Sequence, residues 1–341
     1  MRTAQIMLAL VTLGLAGSAA AQTTPATATF RDWSAACGND GTCVAFGKPQ
    51  QFGPAWVRVE MAAGPTAEPR IQFGYPDWSD GAQAPRFSLA IDGADLRTTT
   101  NIDGLPALTG AGARQALARM TRGASLTFDG GEDPTDVSLS GASAALLWID
   151  ERQGRLDTPS ALVRRGARSD QTVPAAPALP RLRAGPRISQ AGLVDRPLPA
   201  TLAHASDLRE CLADEDLAGS APTAHRLGPD LLLWNIPCFR GAYNFGSVLW
   251  TTRDDGSDPH PLALTNARGE AVMEIVNGGY DPQTRQIDAF AKGRGIGDCG
   301  LAQRWLWTGQ RFELLGETGM DDCFGVRVDY WPVLWRAEQT D

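Results

Sequence analysis

Lysine is almost missing from this chain of 341 residues: Lys48 and Lys292 stand alone among 31 basic residues. Histidine is scarce too. The three, His204, His225 and His260, show no metal-ligand spacing, which leaves them capping or surface roles. No two cysteines have CxxC spacing, which excludes a zinc ribbon and a thioredoxin-like motif. Beyond residue 15 no apolar run is long enough to cross a bilayer. Basic residues are outnumbered by 39 acidic ones, for a net charge of −8. That excess argues against nucleic acid or an anionic membrane as partner.

What is present begins with a leader. Arg2 supplies a positive start, Ile6 to Leu15 a short apolar run, and Ser18-Ala19-Ala20-Ala21 small residues at a cleavage point. This pattern predicts a secretory signal peptide over 1–21, and so a periplasmic or secreted mature protein with no membrane span. An uncleaved anchor is the rival reading. The even set Cys37, Cys43, Cys211, Cys238, Cys299 and Cys323 reads as disulfides in an exported chain. Pairing of sequence neighbours is the simplest scheme.

The composition divides the rest into an N-terminal α+β domain (22–168), a Pro/Ala/Arg-rich linker (169–199) and a mainly antiparallel β domain (200–341). The expected fold class is α+β, stapled by disulfides. In "FRDWSAACGNDGTCVAFG", a loop at Asn39-Asp40-Gly41 would set Cys37 opposite Cys43, within disulfide range. Strands are expected at 56–61, 70–75 and 86–91. Ala113, Ala116, Leu117 and Met120 have helical spacing, as do Ala142, Ala145, Leu146 and Ile149, with Ser140 as the expected cap of the second helix. After a short helix near "SDLRECLAD", the last domain reads as strands with Gly, Asp, Asn and Pro turns, ending in "GVRVDYWPVLW". Six of the ten tryptophans lie there, as core or as a stacking face.

"GIGDCG" (295–300) is spelled like a dinucleotide fingerprint. The residues after it, "LAQRWLWTGQRFEL", alternate as a hairpin, and no helix follows, so NAD is rejected and no cofactor is expected. The stretch reads instead as a tight loop tethered through Cys299 to Cys323. Such a loop is either plain or an anion nest favoured by Lys292 and Arg294. "GASAA" around Ser143 lacks the final glycine of a nucleophile elbow, and helical spacing already explains it. "DDGSD" (254–258) reads as a turn, with calcium as the alternative. No metal site is expected.

"FRDWSAACGNDGTC", "SLSGASAALLWIDERQGR", "GAYN" and "KGRGIGDCG" together resemble the bacterial domain-of-unknown-function 1176 family over nearly the whole mature chain. The first motif also resembles the invasion-associated locus B proteins. The resemblance implies an exported protein of Gram-negative bacteria and supplies no activity. The sequence then favours a non-catalytic binding or envelope-associated module, with its ligand near Lys292, Arg294, Asp298, Tyr243 and Asn244. Candidate partners are an envelope glycan, an anionic ligand or a secreted protein. The alternatives are an envelope hydrolase working through carboxylates, and a purely structural or stress-protective protein.

Overall fold

The computed structural model describes residues 24–340, apart from 51, 52, 54, 76–86, 131–133 and 218. The expected signal peptide lies outside the described residues, as does Arg86 at the head of one expected strand. What is described is mainly β. Among the described residues every strand pairing is antiparallel except one short ladder, Arg181–Arg183 beside Glu338–Thr340.

The first half holds a seven-stranded sheet in the spatial order 26–30, 33–37, 43–47, 56–61, 70–74, 105–109 and 100–102. A four-stranded sheet runs 135–138, 125–129, 88–91 and 94–96. The opening hairpin has Cys37 directly opposite Cys43, with Gly41 at φ +74°. Helix α1 (Gly110–Met120) buries Ala113, Ala116, Leu117 and Met120. Helix α2 (Ala142–Arg152) buries Ala142, Ala145, Leu146 and Ile149. Both faces follow from the i, i+3, i+4, i+7 spacing. Ser140 is not the cap of α2; Gly141 is, at φ +104°. A Cβ there would lie 1.8 Å from the Phe30 carbonyl oxygen, so the close approach of the first sheet requires glycine.

The second half holds two five-stranded sheets. One centres on Leu231–Arg240 and Phe245–Thr252. The other runs Gly279–Asp281, Gln286–Lys292, Gly300–Trp307, Phe312–Met320 and Val333–Arg336. Of the six tryptophans here, Trp234, Trp250, Trp305, Trp307 and Trp331 are core, and Trp335 is half-buried. "GVRVDYWPVLW" is not one strand: only Val333–Arg336 pairs, and Val328–Tyr330 is a 3-10 turn. Trp331 turns inward and donates its indole N–H to the Val326 carbonyl, and both residues are buried.

The proline-rich segment 169–199 is docked along its length. Val173 and Leu193 are buried, the Gly185 N–H reaches the Trp307 carbonyl at 2.9 Å, and Gln190 pairs with the Arg226 backbone. One apolar cluster draws on both halves: Ala36, Val44, Phe46 and Trp56 pack with Met320, Phe324, Val326 and Trp331. Three disulfides join sequence neighbours, Cys37–Cys43, Cys211–Cys238 and Cys299–Cys323.

Candidate functional site

Two hairpin tips touch in the second half. Residues 241–244, "GAYN", join Leu231–Arg240 to Phe245–Thr252. Residues 293–299 join Gln286–Lys292 to Gly300–Trp307. The second tip turns tightly because Gly300 sits at φ +134°, where a Cβ would lie 2.0 Å from the Ala291 carbonyl. A strand follows Gly300, so the glycines shape a hairpin loop and not a nucleotide cradle.

Tyr243, Asn244, Lys292, Arg294 and Asp298 all fall in this contact. Asn244 docks like one more rung of a ladder: its Nδ2 donates to the Lys292 carbonyl at 3.0 Å, and its Oδ1 accepts the Lys292 N–H at 3.2 Å. The Tyr243 hydroxyl donates to the Gly293 carbonyl at 3.3 Å. Asn277 locks both tips from behind. Its Nδ2 reaches Asn244 Oδ1 and the Phe290 carbonyl, each at 2.9 Å, and its Oδ1 accepts the Phe245 N–H at 2.9 Å. Asn277 escapes a reading of the sequence because an Asn among the Gly, Asp, Asn and Pro residues between strands already reads as a turn residue.

Asp298 is fully buried and is an anchor. It takes two hydrogen bonds from the Arg294 guanidinium, one of them from Nε at 2.6 Å, and one from the Gly325 N–H at 2.6 Å. Burial alone would push this carboxyl up, but the Arg294 guanidinium and the Gly325 N–H outweigh it and hold the group below its ordinary range. The same hydrogen bond holds the Arg294 guanidinium above its ordinary value. Cys299, the next residue, ties the tip to Cys323. Ligand atoms of Asp298, Cys299 and Cys323 lie within 4.8 Å of one another, but both sulfurs are spent in the disulfide and offer no thiolate to a metal.

With the polar atoms of Asn244 and Asp298 committed inward, the outward face is apolar and cationic. Ile296 is 57% exposed, Phe245 46% and Tyr243 38%. The Arg240 guanidinium lies 5.2 Å over the Phe245 ring. Neither Arg240 nor Lys292 meets a carboxylate among the described residues, whereas Lys48 pairs with Asp322 at 2.5 Å.

The other sequence candidates take structural places. Ser143 is on the exposed side of α2. His204 caps its own turn at the Ala200 carbonyl, His260 faces Asp258, and His225 packs edge-on to Tyr280, with burial pulling its pKa down. In "DDGSD", Asp254 accepts from Arg196 and Arg226, Asp255 caps the turn at the Ser257 N–H, and Asp258 faces Arg253 and His260.

Among the described residues burial raises three carboxyls, Asp150, Glu274 and Asp288, and none of the three is among the charges acting on another. Asp288 borders a groove of about 780 Å³ with Phe290, Arg304, Thr318 and Trp335. Glu317 also borders it, but register sets Asp288 across from Arg304 and Glu317 across from Gln303, on opposite faces of the sheet.

A family model described as "Protein of unknown function (DUF1176)" matches residues 27–338. The chain belongs to that family. It is 31% identical over 338 residues to the uncharacterized protein YpfG of Escherichia coli (strain K12), a match covering 91% of this chain and 93% of YpfG. No solved structure matches. Two of the motifs that carry the DUF1176 resemblance, "GAYN" and "KGRGIGDCG", are the two tips that touch. A third, ending in "DERQGR", builds a buried knot. Arg155 donates to Gln153, Ser160 and the Ala62 and Gly64 carbonyls, while Asp150 accepts the N–H groups of Leu162, Val163 and Arg164.

Proposed function

We propose that this DUF1176 protein is a non-catalytic binding module of the Gram-negative cell envelope, periplasmic or secreted. Its parts are an N-terminal α+β domain (22–168), the segment 169–199 and a mainly β domain (200–341). Its recognition surface is the outward face of the paired tips. The observation that carries this is the exposure of Tyr243, Phe245 and Ile296 at hairpin ends held by amide ladders, an ion pair and a disulfide. Grouped exposed apolar side chains mark interaction sites. The export leader in the sequence and the three disulfides support the compartment. No helix among the described residues is long and apolar enough to cross a membrane.

The test is the melting temperature of the oxidised mature protein against peptidoglycan fragments, envelope oligosaccharides and phosphate-bearing polyanions. A ligand at 100 times its Kd stabilises by about 2.7 kcal/mol. The shift is expected to vanish in Ile296→Ser, at the exposed apex, and in Lys292→Gln, which removes a cation that meets no carboxylate among the described residues. A ligand whose shift survives both substitutions binds elsewhere and overturns the site.

A further inference from the structure

The whole-chain charge of −8 hides a local reversal. The segments 239–246 and 291–297, "FRGAYNFG" and "AKGRGIG", contain Arg240, Lys292 and Arg294 and no acidic residue. Acids flank these segments, and Asp321, exposed two residues before Cys323, is one of them. Asp298 is buried and neutralised by Arg294. Glu274, on the neighbouring strand, is exposed and brings a carboxylate oxygen close to Gly246, with partial burial shifting its pKa upward. The outward face is a few large apolar side chains beside Arg240 and Lys292, neither of which is ion-paired among the described residues, with Glu274 at its edge. Tyr243 is amphipathic, and its ring lies where a Cβ on Gly295, next to the Ile296 apex, would come within 3.6 Å. Lys292 and Arg240 carry long apolar stems below charged heads, which suits them to snorkel.

We infer that the paired tips dock on a lipid surface bearing anionic headgroups, with Ile296, Phe245 and Tyr243 entering the headgroup–acyl boundary and Arg240 and Lys292 meeting the headgroup charge. This deepens the binding reading above and rests on it. Exposed Ile and aromatic side chains beside Lys and Arg are the chemistry of an interfacial anchor, and basic groups near an anionic leaflet add attraction that salt screens. A neutral sugar would leave the cations unused. A deep small-molecule pocket is not what the tips form, since their apolar groups point out and their polar atoms point in. The inward anchoring also fits insertion, because no backbone needs to reorder as the tips enter the boundary.

The experiment is co-sedimentation of the oxidised protein with vesicles of pure phosphatidylcholine and with vesicles containing phosphatidylglycerol. The protein should partition onto the anionic vesicles at least about tenfold more strongly, and high salt should weaken it. Ile296→Asp and Phe245→Ser should each lower that partition severalfold, and Arg240→Gln with Lys292→Gln should erase the preference for anionic lipid. Unchanged circular dichroism and denaturation midpoints in these variants keep the result a matter of the surface. Failure of the protein to sediment with either vesicle overturns the lipid inference. So does binding that the tip variants leave unaltered. If vesicles fail while a soluble oligosaccharide or protein gives a shift that Ile296→Ser abolishes, the binding reading stands and its lipid partner is wrong. If neither vesicles nor any soluble ligand depends on the tips, both fall.

Discussion

Replacing Asp298 by asparagine should unstitch the second tip, at a cost the geometry allows us to work out. The carboxylate is fully buried and accepts three hydrogen bonds, two from the Arg294 guanidinium and one from the Gly325 N–H. Asparagine keeps the shape but turns one oxygen into a donor. The Oδ1 position faces the Arg294 Nε–H alone, whereas Oδ2 accepts from both Arg294 and the Gly325 N–H, so the donor costs least at Oδ1, where one charge-assisted bond is lost and a buried N–H is left facing the guanidinium. Arg294, whose side chain is 43% exposed, can return to water cheaply. The amide N–H left at the Oδ1 position is buried and cannot, and the neutral amide also forfeits the charge that strengthens the two bonds kept at Oδ2. The expected loss is about 3 kcal/mol at neutral pH, or roughly a 1 M drop in urea midpoint. The pH dependence gives a second, sharper reading. The folded pKa of Asp298 lies below its ordinary 3.8, so its contribution is fully present above pH 3.8 and is lost as pH falls through the folded value. The gap between wild type and Asp298→Asn should therefore be widest at pH 7 and close under stronger acid. Urea titrations followed by tryptophan fluorescence at several pH values measure both. An Asn variant as stable as wild type at pH 7, or a gap that stays constant in acid, refutes the anchoring role.

Arg155→Ala should cost about 3–5 kcal/mol, because it strands the Ala62 and Gly64 carbonyls, Gln153 and Ser160 inside the first half. Arg155→Lys should recover little, since one ammonium cannot reach all four partners; equal urea midpoints for wild type and the Lys variant would contradict this. Gly141→Ala places a methyl 1.8 Å from the Phe30 oxygen at φ +104°, so α2 must shift off the first sheet. A loss of about 2 kcal/mol or more is expected in the same titration, and a neutral substitution would show that the approach is not tight.

How far the sequence is legible depends on whether local or distant forces decide each element. Helices α1 and α2 bury the residues their spacing predicts, because an amphipathic stripe facing one sheet is a local pattern. The Cys37–Cys43 hairpin is local too, with Gly41 supplying the left-handed turn position. Gly141 defeats the expected Ser140 cap because the deciding contact, the Phe30 carbonyl, lies more than a hundred residues away in sequence. Residues 325–331 alternate like a strand, yet the shared apolar cluster draws Val326 and Trp331 inward and leaves only Val333–Arg336 to pair. The five candidate site residues could be placed together from their motifs. Their division into inward anchors and outward contacts could not, since nothing near Asp298 in the sequence says that its carboxylate is buried. Ile296 and Phe245 were passed over for a related reason: an apolar residue in a glycine loop or a strand reads as core until the fold shows its exposure.

The route by which the second tip is anchored bears on why a loop would be stapled so heavily. Asp298 holds the Gly325 N–H and Cys299 holds Cys323. The chain between and beyond those two points contributes Phe324, Val326 and Trp331 to the cluster shared with Ala36, Val44, Phe46 and Trp56 of the first half. Three polar links reinforce the same seam: Lys48 with Asp322 at 2.5 Å, the Tyr330 hydroxyl on the Asp103 carbonyl at 2.6 Å, and the Asn39 side chain with the Arg336 backbone. The tip is thus fixed to both halves of the molecule and not to its own sheet alone. A flexible loop that orders on binding spends part of its interaction energy on lost conformational freedom, about 0.5–1.5 kcal/mol for each immobilised side chain. Here the backbone part of that cost is met during folding, by the disulfide, the ion pair and the asparagine ladder. Stability alone would not need Ile296 at the apex, since a polar residue there would cost the fold nothing. Rigid backbone beneath exposed apolar and cationic side chains is the arrangement expected when the outer face must meet a partner without rearranging.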